Sequence, residues 1–158
     1  MGVDIHVRII IKNRNKNIWE EVKLYYKENN DFKAVKVYPY RDYELFDILN
    51  HKTNDYFLKT QPILDADLPE TLKKEIEECR NSLGYYGFRE INLADLKLYL
   101  HYKPKIRDWD YEEDEPNAMT DNPVKYFIEQ IEQYISFASF IYDFAPPSDV
   151  KIIYWFDH

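Results

Sequence analysis

Two side chains near the start of the chain, Asp4 and His6, stand two residues apart where apolar residues alternate, which places both on one face of a strand. A carboxylate close to an imidazole can orient the ring, fix its tautomer or share a metal with it. The same pair more often serves as a structural hydrogen bond or a surface pair, so a site needs further groups to converge on it. Candidates for that convergence are His51, His101, Asp157 and His158, all on separate elements. Arg41 and Asp157 are the candidate ligand-binding residues. Arg41 lies in the run Tyr38-Pro39-Tyr40-Arg41-Asp42-Tyr43, at the mouth of an expected helix. There a guanidinium can grip a phosphate or carboxylate, or pair with Asp42 or Glu44 as part of a helix cap.

A second constellation is acidic and aromatic. Asp108, Asp110, Glu112, Glu113, Asp114 and Glu115 enclose Trp109 and Tyr111, so that six of eight consecutive side chains are carboxylates. The alternation of Asp108, Asp110, Glu112 and Asp114 is that of oxygen ligands in a calcium loop. The sharp-turn glycine of such a loop is here Glu113, however, and the distal bidentate acid is Met119, so specific calcium binding is not expected. The stretch reads instead as a solvated loop, 103–122, whose acids and aromatics suit docking on a basic protein groove. The chain has three glycines in all, which leaves little room for a phosphate-cradling loop, and neither a zinc signature nor a nucleophile elbow occurs. No cofactor is implied.

Composition bounds the class. With 45% hydrophobic and 17% aromatic residues the 158-residue chain can offset its conformational entropy with one core, so a single domain over 1–158 is expected. The net charge of −8 repels phosphate backbones and argues against general nucleic-acid binding. Cys79 is the sole cysteine, so no intrachain disulfide forms, and a reduced thiol on a helix follows. No apolar run approaches the roughly 18 residues of a membrane span, and no secretory signal pattern opens the chain; the expectation is a cytoplasmic protein without a membrane partner. The Met1-Gly2 opening lacks the Ser or Thr of a myristoylation signal, carrying His6 there instead.

The elements that must position these residues follow from periodicity. Val3, Ile5, Val7, Ile9 and Ile11 alternate with Asp4, His6, Arg8 and Ile10, which predicts a first strand with one dry face. The turn Asn13–Asn17 leads into a second strand over Ile18–Tyr26, and Phe32–Tyr38 supplies a third, closed by Pro39. A short helix starts at Asp42, a second runs from Pro69 toward Gly84, and Asn92 caps a third carrying Leu93, Leu96 and Leu100. Asn122-Pro123 opens the principal core helix, whose apolar stripe runs from Phe127 to Ile141, and Val150–Phe156 is the last strand, beside the first. The order predicts an α+β fold: an antiparallel or mixed sheet of the N-terminal strands plus the C-terminal strand, with helices packed on one face.

The opening Met1-Gly2-Val3-Asp4-Ile5-His6 resembles a family of small phage and prophage proteins that begin Met-Gly-x-Asp-Ile-His. The resemblance continues in patches through Arg41-Asp42-Tyr43-Glu44-Leu45-Phe46, Leu68-Pro69-Glu70, Asn92-Leu93-Ala94-Asp95-Leu96 and Trp155-Phe156-Asp157. That family often carries histidines before its third helix, where this chain has Gly84-Tyr85-Tyr86-Gly87-Phe88, so no metal site is inherited. The resemblance implies a phage accessory protein. With the acidic charge and the aromatic supply, it leads to the expectation of a non-enzymatic inhibitor of a bacterial defence component, such as a CRISPR effector or an immune signalling protein, that presents a basic surface. The alternatives are a small-molecule or nucleotide-binding protein or hydrolase centred on Asp4 and His6, and an oligomeric or virion-associated protein.

Overall fold

The computed structural model describes residues 2–50, 58–103, 122–138 and 145–158. Strand β1 (Asp4–Asn13) turns at Asn17, which takes a positive φ, into β2 (Ile18–Glu21). A separate hairpin follows, β3 (Tyr25–Glu28) and β4 (Asp31–Ala34), and then helix α1 (Tyr43–Leu49). Next come β5 (Gln61–Pro62), α2 (Glu70–Arg80), β6 (Tyr85–Asn92), α3 (Leu93–Tyr102), α4 (Pro123–Phe137) and β7 (Val150–Asp157). The order in the main sheet is β2-β1-β7-β6-β5, with every pairing antiparallel; β3 and β4 pair only with each other. The fold is α+β, and the first and last strands lie side by side as their apolar patterns predict. Among the described residues no helix is long and apolar enough to cross a membrane.

The expected helix caps form. Asp42 accepts from the Leu45 amide at 3.2 Å, Asn92 from Ala94 at 2.8 Å, and Asn122 from Val124 at 3.0 Å ahead of Pro123. Each short polar side chain satisfies an amide that the first helical turn leaves without a partner. The segments expected to hold the acidic loop, His51 and the end of the long apolar stripe at Ile141 lie wholly or mainly outside the described residues.

Three expectations about the strands and layers change. Ile18–Tyr26 is not one strand: the chain leaves the sheet after Val22, whose N–H still bonds to the Ile9 carbonyl at 2.9 Å. Phe32–Tyr38 does not enter the main sheet either, because Val37 and Tyr38 bury their side chains from an irregular segment. Residues 85–92, unassigned by periodicity, form the second neighbour of β7, with a bulge between Tyr86 and Arg89. Gly87 sits in that bulge at φ 69°, where a Cβ would lie 2.8 Å from the Phe156 ring, so this position requires glycine on both conformational and steric grounds.

Helices cover both faces rather than one. Ile5, Val7, Ile9, Ile152, Tyr154 and Phe156 face α1, α3 and α4 in the larger core, whereas Ile10, Ile153 and Trp155 face Leu72 and Ile76 of α2 in a smaller one. The cause is the middle strand. β7 is buried from Ile152 through Phe156 on both of its faces, and a strand with two apolar faces needs two covers.

One polar group is carried into the smaller layer. Lys151 Nζ bonds Asp67 at 2.7 Å and Glu90 at 2.9 Å and lies 4.8 Å from the centre of the Trp19 ring, while Glu90 also accepts from the Leu64 amide. Burial alone would depress the Lys151 ammonium, but its two carboxylate partners outweigh burial and hold it above the usual lysine range. Glu90 is 1% exposed, so removing its cation leaves a buried carboxylate uncompensated. Lys151→Ala is expected to cost about 3 kcal/mol in urea unfolding, and the double change Lys151→Met with Glu90→Gln to recover most of it. Equal losses in the single and double variants would show that the pair does not act as a unit.

Candidate functional site

The antiparallel register sets Asp4 of β1 opposite Asp157 of β7, and His6 opposite Trp155. His6 Nε2 bonds Asp157 Oδ2 at 2.5 Å, and the imidazole lies nearly parallel to the Trp155 ring, 5.4 Å between centroids and 14° between planes. An ionised carboxylate can only accept, so Nε2 carries a proton, and in the neutral tautomer of the ring Nδ1 is the acceptor. An imidazole so held can take a proton from, or accept a hydrogen bond from, a bound molecule.

Arg41 closes the other half of the corner. Its Nε donates to Asp4 Oδ1 at 2.6 Å, and that bond holds the Asp4 carboxyl below, and the guanidinium above, their usual ranges. Both groups are about half exposed, so the pair contributes little to stability; what it does is place the two side chains. Gly2 lies beneath it: a Cβ there would come within 2.5 Å of Arg41 Nη1 and 2.8 Å of the Tyr43 hydroxyl, so the ends of those side chains would have to shift. Two carboxylates adjacent across the strands thus each hold their own donor, the Arg41 guanidinium for Asp4 and the His6 ring N–H for Asp157. Arg41 thus bonds a carboxylate of β1, while Asp42 accepts from the Leu45 amide as the cap of α1.

The four residues Asp4, His6, Arg41 and Asp157 therefore converge. His158 stands one strand away, edge-on to Tyr86 at 5.3 Å, and His101 packs on Tyr102 at the far end of α3, so neither joins them. Among the described residues no group of three His, Cys, Asp or Glu side chains is placed to hold a metal. Residues that sequence reasoning missed complete the surroundings: Tyr85, 5.9 Å from the His6 ring, and Arg8, which bonds Glu75 at 2.5 Å while lying 5.3 Å from the Trp155 ring centre. Arg8 and Trp155 each share a strand face with a nominated residue, two positions from His6 and Asp157, and that periodicity is the signal that could have found them.

Beside this corner a groove of about 440 Å³ runs along β1. Asp4 to Arg8 form one wall, residues 34–40 the other, and Val22 and Tyr134 lie between. The far wall is stiffened by rings: Tyr38 meets Tyr40 and Phe127 edge-to-face, and Tyr40 meets Tyr126. Burial, with the hydrogen bond to Tyr40, pushes the Tyr126 phenol up to about 12. Glu21, also in the lining, has its carboxyl raised by burial.

The fold and site define a two-core α+β protein with an ion-paired corner opening on a groove at the edge of an antiparallel sheet. No family model, no curated protein and no solved structure matches the chain.

The Asp157 bond to His6 has a spectroscopic signature. Asp157→Asn is expected to cost about 1 kcal/mol, the worth of a charge-assisted hydrogen bond discounted for its partial exposure. Long-range proton–nitrogen spectra should show His6 as the Nε2–H tautomer in the original protein and as a mixture in the variant. An unchanged tautomer would remove Asp157 as its determinant.

Proposed function

We propose that this chain is a binding protein that takes its ligand into the groove beside β1, with Asp4 and His6 at the rim held in place by Arg41 and Asp157. The observation that carries this reading is convergence: the Asp4 and His6 pair and the candidate ligand-binding residues Arg41 and Asp157 meet at one corner, next to a groove whose volume falls in the range of ligand sites, about 300–1,000 Å³. Its far wall of aliphatic groups and tyrosines offers apolar contact, and the rim fixes orientation. This is the small-molecule or nucleotide alternative in its least specific form, a site for a molecule with one polar and one apolar side. Screening polar fragments by amide chemical shift is expected to perturb Asp4–Arg8 and Lys36–Tyr40. His6→Gln should weaken the hits about tenfold at a cost in stability of about 1 kcal/mol, similar to that of Asp157→Asn. Hits that cluster elsewhere, or a His6→Gln protein that loses stability but not affinity, would sink the reading.

A second reading, a phage-encoded inhibitor of a bacterial defence component with a basic surface, is supported by the net charge of −8 and by the six carboxylates, Trp109 and Tyr111 within 108–115. These residues lie outside the described part of the chain. An acidic surface of this kind steers association with a cationic partner and loses its effect as salt screens it. Replacing Asp108, Asp110, Glu112 and Asp114 together by their amides is expected to slow association with a purified basic target by tenfold or more at low salt; unchanged kinetics would end this version.

A further inference from the structure

The groove is bounded on one side by backbone as well as by side chains. β7 covers one edge of β1 from Asp4 to Ile11, but β2 covers the other only from Ile10 to Asn13. Past that, the Val22 N–H donates to the Ile9 carbonyl, and the chain turns away. In an antiparallel strand the N–H and C=O of one residue point to the same edge, and successive residues alternate. Because the Ile9 carbonyl points to the outer edge, Ile5 and Val7 point their amides and carbonyls there too. Among the described residues no backbone group of 34–40 reaches them. The one hydrogen bond to these outer backbone groups among the described residues is from Arg8 Nη1 to the Val7 carbonyl at 3.2 Å, which leaves that oxygen a second lone pair.

The sheet's other exposed margins are blunted in ordinary ways. β5 is two residues long and contains Pro62, and β2 is four residues long. The open edge of β1 has neither device, and it faces a cleft rather than bulk solvent. We propose that this edge is a strand-addition site, and that the ligand of the groove is an extended peptide segment of a partner protein that pairs with Ile5 and Val7. The proposal rests on the groove being the binding site and names the chemistry of its occupant.

Three features favour a peptide over a metal ion or a cationic metabolite. Unpaired donors and acceptors at the spacing of a strand match another extended backbone and little else. Each carboxylate in the lining has a cation near it, Asp4 with Arg41, Glu75 with Arg8, and Glu21 with Lys23 at 3.8 Å, so the groove offers no unbalanced carboxylate. The two sides of the cleft also differ in the way a strand requires. A residue set opposite Val7 would face Val37, Tyr38 and Tyr134, whereas its neighbours would face His6, Arg8 and their carboxylate partners. The segment that fits therefore alternates small apolar residues with polar ones.

The test uses the full-length, isotopically labelled protein and the blocked pentapeptide acetyl-Thr-Val-Lys-Val-Thr-amide, with an otherwise identical peptide in which one central amide is replaced by an ester. The amide peptide is expected to shift the Ile5 and Val7 resonances and slow their hydrogen exchange about tenfold or more at saturation. The ester peptide should bind about tenfold more weakly, as the loss of one backbone donor predicts. Protection of β2, β5 or the β3–β4 hairpin instead, equal affinity of the two peptides, or no protection of Ile5 and Val7 at millimolar peptide would overturn strand addition. If small fragments still map to Asp4–Arg8 in that case, the groove remains a binding site with a different occupant. If neither fragments nor peptide reach it, both readings fall together.

Discussion

The structure depends on the burial of β7 from both sides. Ile152, Ile153, Tyr154, Trp155 and Phe156 are successive residues, each 0% exposed, so their alternating side chains fill two separate layers. A strand of this kind must be internal, flanked by strands on both edges and covered on both faces. β1 and β6 supply the edges, α1, α3 and α4 one cover, and α2 the other. Each buried aliphatic or aromatic side chain is worth about 1.5–3 kcal/mol, so this strand outweighs any single ion pair in the molecule. Lys151 interrupts the pattern only because Asp67 and Glu90 accompany it into the smaller layer.

The candidate site forms where that arrangement ends. At the Asp157 end of β7 the buried run gives way to part-exposed polar residues, and the antiparallel register brings two carboxylates face to face across β1 and β7. Like charges so placed are stable when each has its own hydrogen-bond donor, and Arg41 and His6 supply them from opposite sides. Trp155 provides the floor on which His6 stacks, so an imidazole that would otherwise rotate is fixed by one hydrogen bond and one ring contact. The groove has a similar origin: β2 leaves β1 early, and the returning chain anchors itself through Val37 and Tyr38 without rejoining the sheet. Local packing of those two side chains holds the far wall apart from the strand edge.

Much of this was legible in the residues. The alternation from Val3 to Ile11 specified β1, Asn92 and Asn122-Pro123 specified the starts of α3 and α4, and Asp4, His6, Arg41 and Asp157 were each selected for the chemistry of their side chains. These are local signals, written within a few residues by strand alternation or by the needs of a helix terminus. Where the sequence was read too simply, the signal was present but non-periodic. The unbroken apolar run of β7 already demanded a second layer of cover, and the glycine-punctuated run from Gly84 to Asn92 already allowed a bulged strand.

What tertiary structure alone decided is pairing at long range. Asp4 meets Asp157, and His6 bonds across 151 residues of chain, because two strands at opposite ends of the sequence share one register. Arg41 bonds Asp4, 37 residues back in the chain, while Asp42 beside it caps α1. The open edge of β1 depends on where β2 departs, which reflects competition between pairing with β1 and burial of Val22, Val37 and Tyr38. By itself the sequence determined the strands at its two ends, the helix starts and which side chains could do chemistry, since these follow from residue type and short spacing. Which of those side chains would touch, and which backbone edge would stay unpaired, was decided by register and packing, since these are set by the whole chain at once.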